Sequence, residues 1–191
     1  MQRWVRTFVA IEASGDICGR AVKLVDRLKS APAKARWTDP PLHFTLKFLG
    51  DVEILQIPEV CQIVADAVQD LRAFDLEVQG VGAFPDPSRP RTVWIGTGSG
   101  TDEMVEVHQR LDEALGEAGF RTEGRRFRPH LTIGRVRRSP EGVEELAALI
   151  ENESGFNAGI MRVDELLVFS SRLERSEPVY EVLGRAELLS F

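Results

Sequence analysis

The pattern of apolar and polar positions along the chain predicts helices and strands in a regular alternation. Apolar residues that recur every three to four positions indicate four amphipathic helices. The first helix is predicted to have Ser14 or Asp16 as its N-cap, and the second has Pro58 in its first turn. The third is predicted to have Thr101 or Asp102 as its N-cap and to end at Gly119, and the fourth begins at Pro140. Short apolar or alternating runs predict strands at residues 6–11, 43–50, 74–78, 91–96, 130–134, 156–169 and 179–188.

The predicted elements occur in the same order twice. Residues 4–85 and residues 90–171 each hold a strand, a helix, a second strand, a second helix and a third strand, and a further strand follows at 178–188. Corresponding positions lie 85, 87 and 82 residues apart for the pairs Arg6 and Arg91, His43 and His130, and Phe74 and Phe156. The chain is therefore predicted to be one α+β domain of two β-α-β-α-β lobes, whose pseudo-two-fold axis brings both central strands to a shared cleft.

Composition and charge narrow the class of protein. Hydrophobic residues make up 43% and charged residues 28% of the chain, which is ordinary for a soluble globular protein. No apolar run reaches transmembrane length, and Cys18 and Cys61 lack the spacing of metal ligands. We therefore expect a cytoplasmic protein with reduced cysteines and no membrane contact. The net charge of −6 argues against a protein that coats nucleic acid over its whole surface.

Arginine is nevertheless concentrated in one stretch of the chain. Between residues 121 and 138 the acidic residue is Glu123 alone. The arginines of this stretch are Arg121, Arg125, Arg126, Arg128, Arg135, Arg137 and Arg138. Such a cluster suits phosphate binding, although a solvated basic loop is the alternative. Arg128 is included among the candidate substrate-binding residues.

Two His-x-Thr motifs are the candidate catalytic groups. His43 and Thr45 share one face of a predicted strand, as do His130 and Thr132, because alternate side chains of a strand point the same way. Imidazoles with pKa values near ~6.5 can supply a base and an acid together at neutral pH. Hydrolysis of a cyclic phosphodiester needs both, and the threonine hydroxyls could donate hydrogen bonds to the phosphate oxygens.

A metal site is the rival explanation for paired histidines. Two histidines are too few ligands, and no acidic residue or cysteine lies at ligand spacing beside either one. We therefore predict that the site holds no metal and needs no cofactor. The third histidine, His108, lies on an apolar helical stripe and is predicted to be a core residue without a part in the chemistry.

Three further residues near the motifs are given structural roles. Strict alternation along the strand would place Lys47 on the cleft side, the same side as His43, but we interpret it as an exposed lysine. Trp37 and Trp94 are interpreted as packing residues. Trp37 is the better candidate to reach the cleft, because its strand is predicted to lie beside the first motif.

The two motifs also carry a family resemblance. The runs HFTLKFLG, from His43, and RPHLTIGR, from Arg128, resemble the paired signatures of the two-histidine phosphoesterase superfamily. They are most similar to its RNA 2′,3′-cyclic phosphodiesterase branch, also called the 2′-5′ RNA ligase-like proteins. Residues 6–11, 36–37 and 82–85 match that branch in kind and order, so the resemblance covers essentially the whole chain.

The resemblance implies a fold, a reaction and roles for residues. The fold is bilobal α+β, with antiparallel-rich sheets flanking a central cleft and no metal. The reaction opens RNA 2′,3′-cyclic phosphate ends to 2′-phosphates, and several members join ends through a 2′-5′ linkage. His43 would protonate the leaving 3′-oxygen and His130 would act on water. The spacing of the motifs does not decide which histidine has which role. Phe48 and Arg135 would flank the terminal base, but strict alternation puts both on the wrong face, so each strand must twist or bulge.

Two other functions stay open at this point. One is a nucleotide-binding module that keeps the phosphate pocket without turnover. The other is a phosphodiesterase for small cyclic nucleotides such as ADP-ribose cyclic phosphate. The arginine cluster favours an RNA end as the partner, and we expect a monomer without an obligate protein partner.

Overall fold

Nine strands form one sheet in the computed structural model, which describes residues 3–139, 141–174 and 177–190. The strands are β1 (Trp4–Glu12), β2 (Ala35–Trp37), β3 (His43–Glu53), β4 (Phe74–Phe84), β5 (Thr92–Thr97), β6 (Leu131–Val136), β7 (Asn157–Val163), β8 (Glu165–Glu174) and β9 (Glu177–Glu187). All the pairs between these strands are antiparallel. The helices are α1 (Gly15–Leu28), α2 (Ile57–Val68), α3 (Thr101–Glu117) and α4 (Val143–Asn152). The α+β class predicted from the sequence is confirmed.

The order of strands in the sheet is symmetric about its centre. It runs β7-β4-β5-β6-β3-β1-β8-β9, with β2 lying beside β6. β4 comes from the first half of the chain yet pairs with β5, and β8 comes from the second half yet pairs with β1. Each side of the sheet therefore combines strands from both halves, so neither half has a sheet of its own. The division into two sequence repeats stays a prediction.

The centre of the sheet is held by a single residue pair. β3 and β6 pair through Phe44 and Leu131, both fully buried, and then diverge toward different neighbours. Beyond this pair β3 continues along β1, whereas β6 continues along β5 and β2. A cleft opens where the two strands separate. Each partner of the pair directly follows one of the motif histidines, so the pair sets both histidines at the mouth of the cleft.

The helices bury the apolar stripes that the sequence predicts. On α1 this stripe is Ile17, Cys18, Ala21, Leu24, Val25 and Leu28. α2 packs against α3 and β9, and α1 packs against β7 and α4, so the helices cover the sheet away from the cleft. Within the described ranges, no helix combines the length and apolar character needed to cross a membrane.

The helix ends agree with the sequence in part. Ser14 rather than Asp16 caps α1, since its Oγ accepts the N–H of Ile17 at 3.4 Å. The cap of α3 is Gly100, with φ +87°, so the prediction of Thr101 or Asp102 was wrong. The hydroxyl of Thr101 instead donates to the carbonyl of Gly98. Gly119 follows α3 with φ +92°, as expected of a helix end. The predicted helix start at Pro140 lies outside the described residues.

Three strand predictions need correction. The run 156–169 forms two strands, because the chain turns at Asp164 between β7 and β8. β4 extends through residues 80–84 rather than ending before them, since an irregularity after Val78 absorbs the positive φ of Gly80. β2 pairs with β6 and so lies beside the second motif, not the first. Trp37 consequently sits against Gly134 of β6.

Replacing Gly134 by alanine should destabilise the protein, because the added Cβ would lie 2.5 Å from the Trp37 ring. Either the ring or β6 must shift, and overpacking of this kind costs about 1–3 kcal/mol. Urea denaturation measures the change in the free energy of unfolding. Gly124→Ala is the matched control, since its Cβ would meet nothing within 4 Å. Equal unfolding free energies for the two variants would show that Trp37 is not held against β6.

Candidate active site

The seven residues proposed from the sequence line one cleft, which has a volume of about 1090 Å³. They are His43, Thr45, Phe48, Arg128, His130, Thr132 and Arg135. The antiparallel register at the Phe44–Leu131 pair sets His43 across from Thr132 and His130 across from Thr45. All four side chains line the cleft, so a phosphate between the strands could contact them.

Bulges at equivalent positions explain how Phe48 and Arg135 reach the cleft. In β3, Thr45 pairs with Ala10 and Lys47 pairs with Val9, so Leu46 is an extra residue. In β6, Thr132 pairs with Trp94 and Gly134 pairs with Val93, so Ile133 is an extra residue. Each extra residue is the third after its histidine. Because a bulge reverses the alternation beyond it, the fifth residue returns to the cleft side, as the resemblance required.

The same bulge turns Lys47 away from the cleft. Its side chain is fully buried, so the prediction of an exposed lysine was wrong. The Nζ atom binds the carboxylate of Asp112 and donates to the carbonyl of Arg121 at 2.6 Å. The residue that strict alternation assigned to the cleft is therefore an ion-paired member of the core.

A backbone hydrogen bond orients His130. Its Nδ1 donates to the carbonyl of Arg128 at 2.7 Å, because a carbonyl can only accept. In the neutral ring the Nε2 atom then carries the free lone pair. Burial lowers the pKa of His130 below its usual value, and the charges of Arg135 and Arg128 lower it further, although the bond to the carbonyl acts the other way. The ring is thus neutral at pH 7 and suited to accept a proton.

Aromatic rings hold His43 instead. Its ring centroid lies 5.0 Å from those of Phe8 and Tyr180 and 6.0 Å from that of Phe169. Tyr180 meets it edge-on, at an interplanar angle of 83°. Burial lowers the pKa of His43 to about 4. A proton on this ring therefore depends on a neighbouring negative charge, such as that of a bound phosphate.

Positive charge surrounds the two motifs. The arginines that line the cleft are Arg6, Arg36, Arg91, Arg125, Arg126, Arg128 and Arg135. The carboxylates that line it are Asp39 and Glu123. Four members of the predicted arginine cluster therefore reach the cleft, whereas Arg121, Arg137 and Arg138 are not part of its lining. An excess of guanidinium groups in a concave site attracts phosphate.

Several lining residues were missed from the sequence. Phe8 and Tyr180 form the wall behind His43, and Phe84 meets His130 edge-on at 5.0 Å. Tyr180 is the only tyrosine in the chain, which could have been noticed, but the pairing of β9 could not be read from its sequence. Burial raises the pKa of Tyr180, against the opposing charges of Arg135 and Arg36. Trp37 lines the cleft, as the sequence favoured.

Known proteins resemble this chain over nearly its whole length. A model of the 2′-5′ RNA ligase superfamily matches residues 17–174. The RNA 2′,3′-cyclic phosphodiesterase of Methanothermobacter thermautotrophicus is 34% identical over 177 residues, which cover 92% of this chain and 95% of that protein. The protein of the same name from Thermotoga maritima is 32% identical over 180 residues, which cover 94% of this chain and 93% of that protein.

Solved structures show the same fold. E. coli LigT complexed with 3′-AMP matches with a TM-score of 0.76 at 22% identity, covering 99% of this chain and 100% of that one. A Thermus thermophilus protein matches with a TM-score of 0.78 at 20% identity, covering 96% of this chain and 97% of that one.

Protein stability should depend on pH through His43. Its pKa is about 4 in the folded chain and about 6.5 when unfolded, so the unfolded chain binds more protons between these values. Stability therefore falls as the pH is lowered through this window, by about 3 kcal/mol in total from this residue. Urea denaturation at pH 7 and pH 4.5 measures the loss in the wild type and in His43→Phe, which lacks the titrating group. The variant should lose less stability, and parallel losses would contradict the assigned burial of His43.

Proposed function

The chain belongs to the 2′-5′ RNA ligase superfamily, and from that membership and the geometry of its cleft we propose that it hydrolyses RNA 2′,3′-cyclic phosphate ends to 2′-phosphomonoesters. The observation that carries the proposal is the placement of both histidines and both threonines in a single cleft. The relatives that share about a third of its sequence are named RNA 2′,3′-cyclic phosphodiesterases. The chain would therefore be a hydrolase that acts on cyclic phosphodiesters.

The proposed reaction is one in-line displacement at phosphorus. His130 Nε2 takes a proton from water as the water oxygen forms its bond to phosphorus. The bond from phosphorus to the 3′-oxygen breaks, and His43 gives its proton to that oxygen. The product keeps the phosphate on the 2′-oxygen, and a proton passes back from His130 to His43 through solvent. The hydroxyls of Thr45 and Thr132 donate to the phosphate oxygens, where charge accumulates in the transition state.

The surroundings of the two histidines support this assignment of roles. His130 has its Nδ1 committed to a carbonyl, so its Nε2 is the basic atom. His43 has no such partner among the described residues and is packed against the rings of Phe8 and Tyr180. The charge of a bound phosphate raises the pKa of His43 and so loads the acid only when substrate is present.

The same site can use another nucleophile. If the 5′-hydroxyl of a second RNA replaces water, the same proton transfers join the two RNAs through a 2′-5′ linkage, and we include this reversible ligation in the proposal. The cleft contains every group that the mechanism uses within one chain, which supports a monomer that needs neither a metal nor a cofactor. The cysteines Cys18 and Cys61 are unpaired, which supports a cytoplasmic location.

Replacement of either catalytic histidine should abolish most turnover. His43→Ala and His130→Ala each remove one proton-transfer group, and such groups typically contribute about 10²–10⁴-fold to the rate. Initial rates on a 2′,3′-cyclic nucleotide measure the loss. Lys29→Ala, an exposed substitution at the C-cap of α1, is the control and should keep wild-type activity. A near-wild-type rate in either histidine variant would refute the two-histidine mechanism. Binding of the nucleotide by wild type without turnover would instead support the binding module.

The product should be a single isomer, because the fixed positions of acid and base present only one oxygen for departure. A short RNA with a 2′,3′-cyclic phosphate end is digested in excess EDTA and resolved against 2′-phosphate and 3′-phosphate standards. We expect only the 2′-phosphate, at the same rate as without EDTA. A 3′-phosphate or a mixture would contradict the proposed orientation, and loss of activity in EDTA would contradict catalysis by protein groups alone. Cleavage of ADP-ribose cyclic phosphate but not RNA would favour the small-nucleotide alternative.

A further inference from the structure

The bulge in β3 is fixed by a histidine outside the cleft. The carbonyl of Leu46, the extra residue of the bulge, accepts a hydrogen bond from Nδ1 of His108 on α3 at 2.8 Å. His108 is buried, as predicted for a core residue. It does not belong to the cleft lining. Its contact nevertheless falls at the irregularity in β3 that reverses the alternation between Thr45 and Phe48.

The next residue of the bulge reaches the chain that leads to His130. Lys47 binds Asp112 of α3 and donates to the carbonyl of Arg121. Asp112 in turn accepts the backbone N–H of Glu123 at 3.0 Å. Residues 118–130 contain no helix or strand. These bonds therefore fix a segment that has no regular hydrogen-bond ladder of its own.

A second contact of His108 continues along that segment. Its ring stacks on Phe127 with centroids 4.1 Å apart and an interplanar angle of 12°. Phe127 immediately precedes Arg128, whose carbonyl accepts the hydrogen bond from His130 Nδ1. A continuous series of contacts thus runs from the bulge after His43, across α3, to the atom that orients His130.

We propose that Lys47, His108 and Asp112 form a positioning cluster, which holds residues 121–128 so that the Arg128 carbonyl keeps His130 oriented toward the cleft. None of the three lines the cleft, so they act through other residues and are not catalytic groups. The proposal rests on the proposed function only in assigning His130 as the base. The bulge is essential to this arrangement, because it turns Lys47 away from the cleft and toward the segment that leads to the second motif.

The energetics of the buried Lys47–Asp112 ion pair make it possible to distinguish a positioning role from a contribution to protein stability. Removing the Lys47 ammonium group from water is costly, and its attraction to Asp112 does little more than offset that cost. Replacing both charges by uncharged residues of similar size is commonly neutral for stability. A merely structural cluster would therefore leave a variant like the wild type, whereas a positioning cluster predicts a selective change at His130.

The test is the double variant Lys47→Met with Asp112→Asn, studied by NMR titration of the histidine rings and by kinetics. We expect the pKa of His130 to rise toward its ordinary value, because the released segment leaves the ring more hydrated, and burial is the largest influence that lowers this pKa. The lost hydrogen bond to the Arg128 carbonyl acts the other way, but it is the smaller influence. The pKa of His43 should not change, since its aromatic wall is built by β1, β8 and β9. On a 2′,3′-cyclic mononucleotide, kcat should fall about 10- to 100-fold with little change in KM, as expected of a misplaced catalytic group.

Two further variants complete the experiment. Phe127→Ala removes the stack on His108 from a half-buried loop position, so it tests the same titration even if the double variant fails to fold. Arg27→Met removes the ion pair with Glu153, which is remote from the cleft, and should leave both titrations and kcat unchanged. An unchanged His130 titration in the double variant would overturn the proposal. If the double variant does not fold, an unchanged titration in Phe127→Ala would overturn it. The titration needs no substrate, so it decides this point even if the wild type hydrolyses no cyclic phosphate.

Discussion

The whole site depends on one residue pair at the centre of the sheet. Phe44 and Leu131 form the only pairing between β3 and β6 in the described part of the chain, and both are completely buried. A longer ladder would close the sheet and leave no cleft, whereas no ladder would leave the two histidine strands unrelated. One pair fixes the register of the two motifs, while the strands remain free to diverge. The apolar faces of the motifs thus set the geometry of their polar faces.

The two halves of the site look alike in sequence but differ in their electrostatics. A backbone carbonyl orients His130, and aromatic rings enclose His43. Burial lowers both pKa values, but among the described residues only His130 has a hydrogen-bond partner that fixes its tautomer. In the proposed mechanism this difference separates the two roles: the His130 ring accepts a proton, and the His43 ring gains one when an anion binds. The excess of arginine around the cleft favours that anion.

Local sequence patterns were enough to predict most of the elements, the two motifs and the family. Helical stripes and alternating runs depend on neighbours a few positions apart, so they can be read directly from the chain. The family resemblance is confirmed by a match over residues 17–174. The bulges at Leu46 and Ile133 could not be derived from alternation, because an extra residue is defined only by the partner strand. The only indication of a twist or bulge came from the family resemblance, because the roles it implies for Phe48 and Arg135 place both residues on the cleft side.

The other missed features have the same origin in long-range contacts. Lys47 was misjudged because its side depends on the bulge, and its partner Asp112 lies 65 positions away. Tyr180 joins the site through the pairing of β9 with β8, which the sequence does not specify. His108 reads as a core residue, and its contacts with Leu46 and Phe127 appear only when α3 is placed on the sheet.

The proposed mechanism requires both motifs to act on one phosphorus atom. The most direct measurement is a crystal structure of the protein with uridine vanadate, in which a five-coordinate vanadium replaces the phosphorus of the transition state. The proposed mechanism predicts vanadium between the two imidazoles, with Nε2 of His43 near the 3′-oxygen and Nε2 of His130 near the oxygen on the opposite side. The hydroxyls of Thr45 and Thr132 should bind the remaining oxygens. Vanadate held by the cleft arginines alone, out of reach of either histidine, would contradict it.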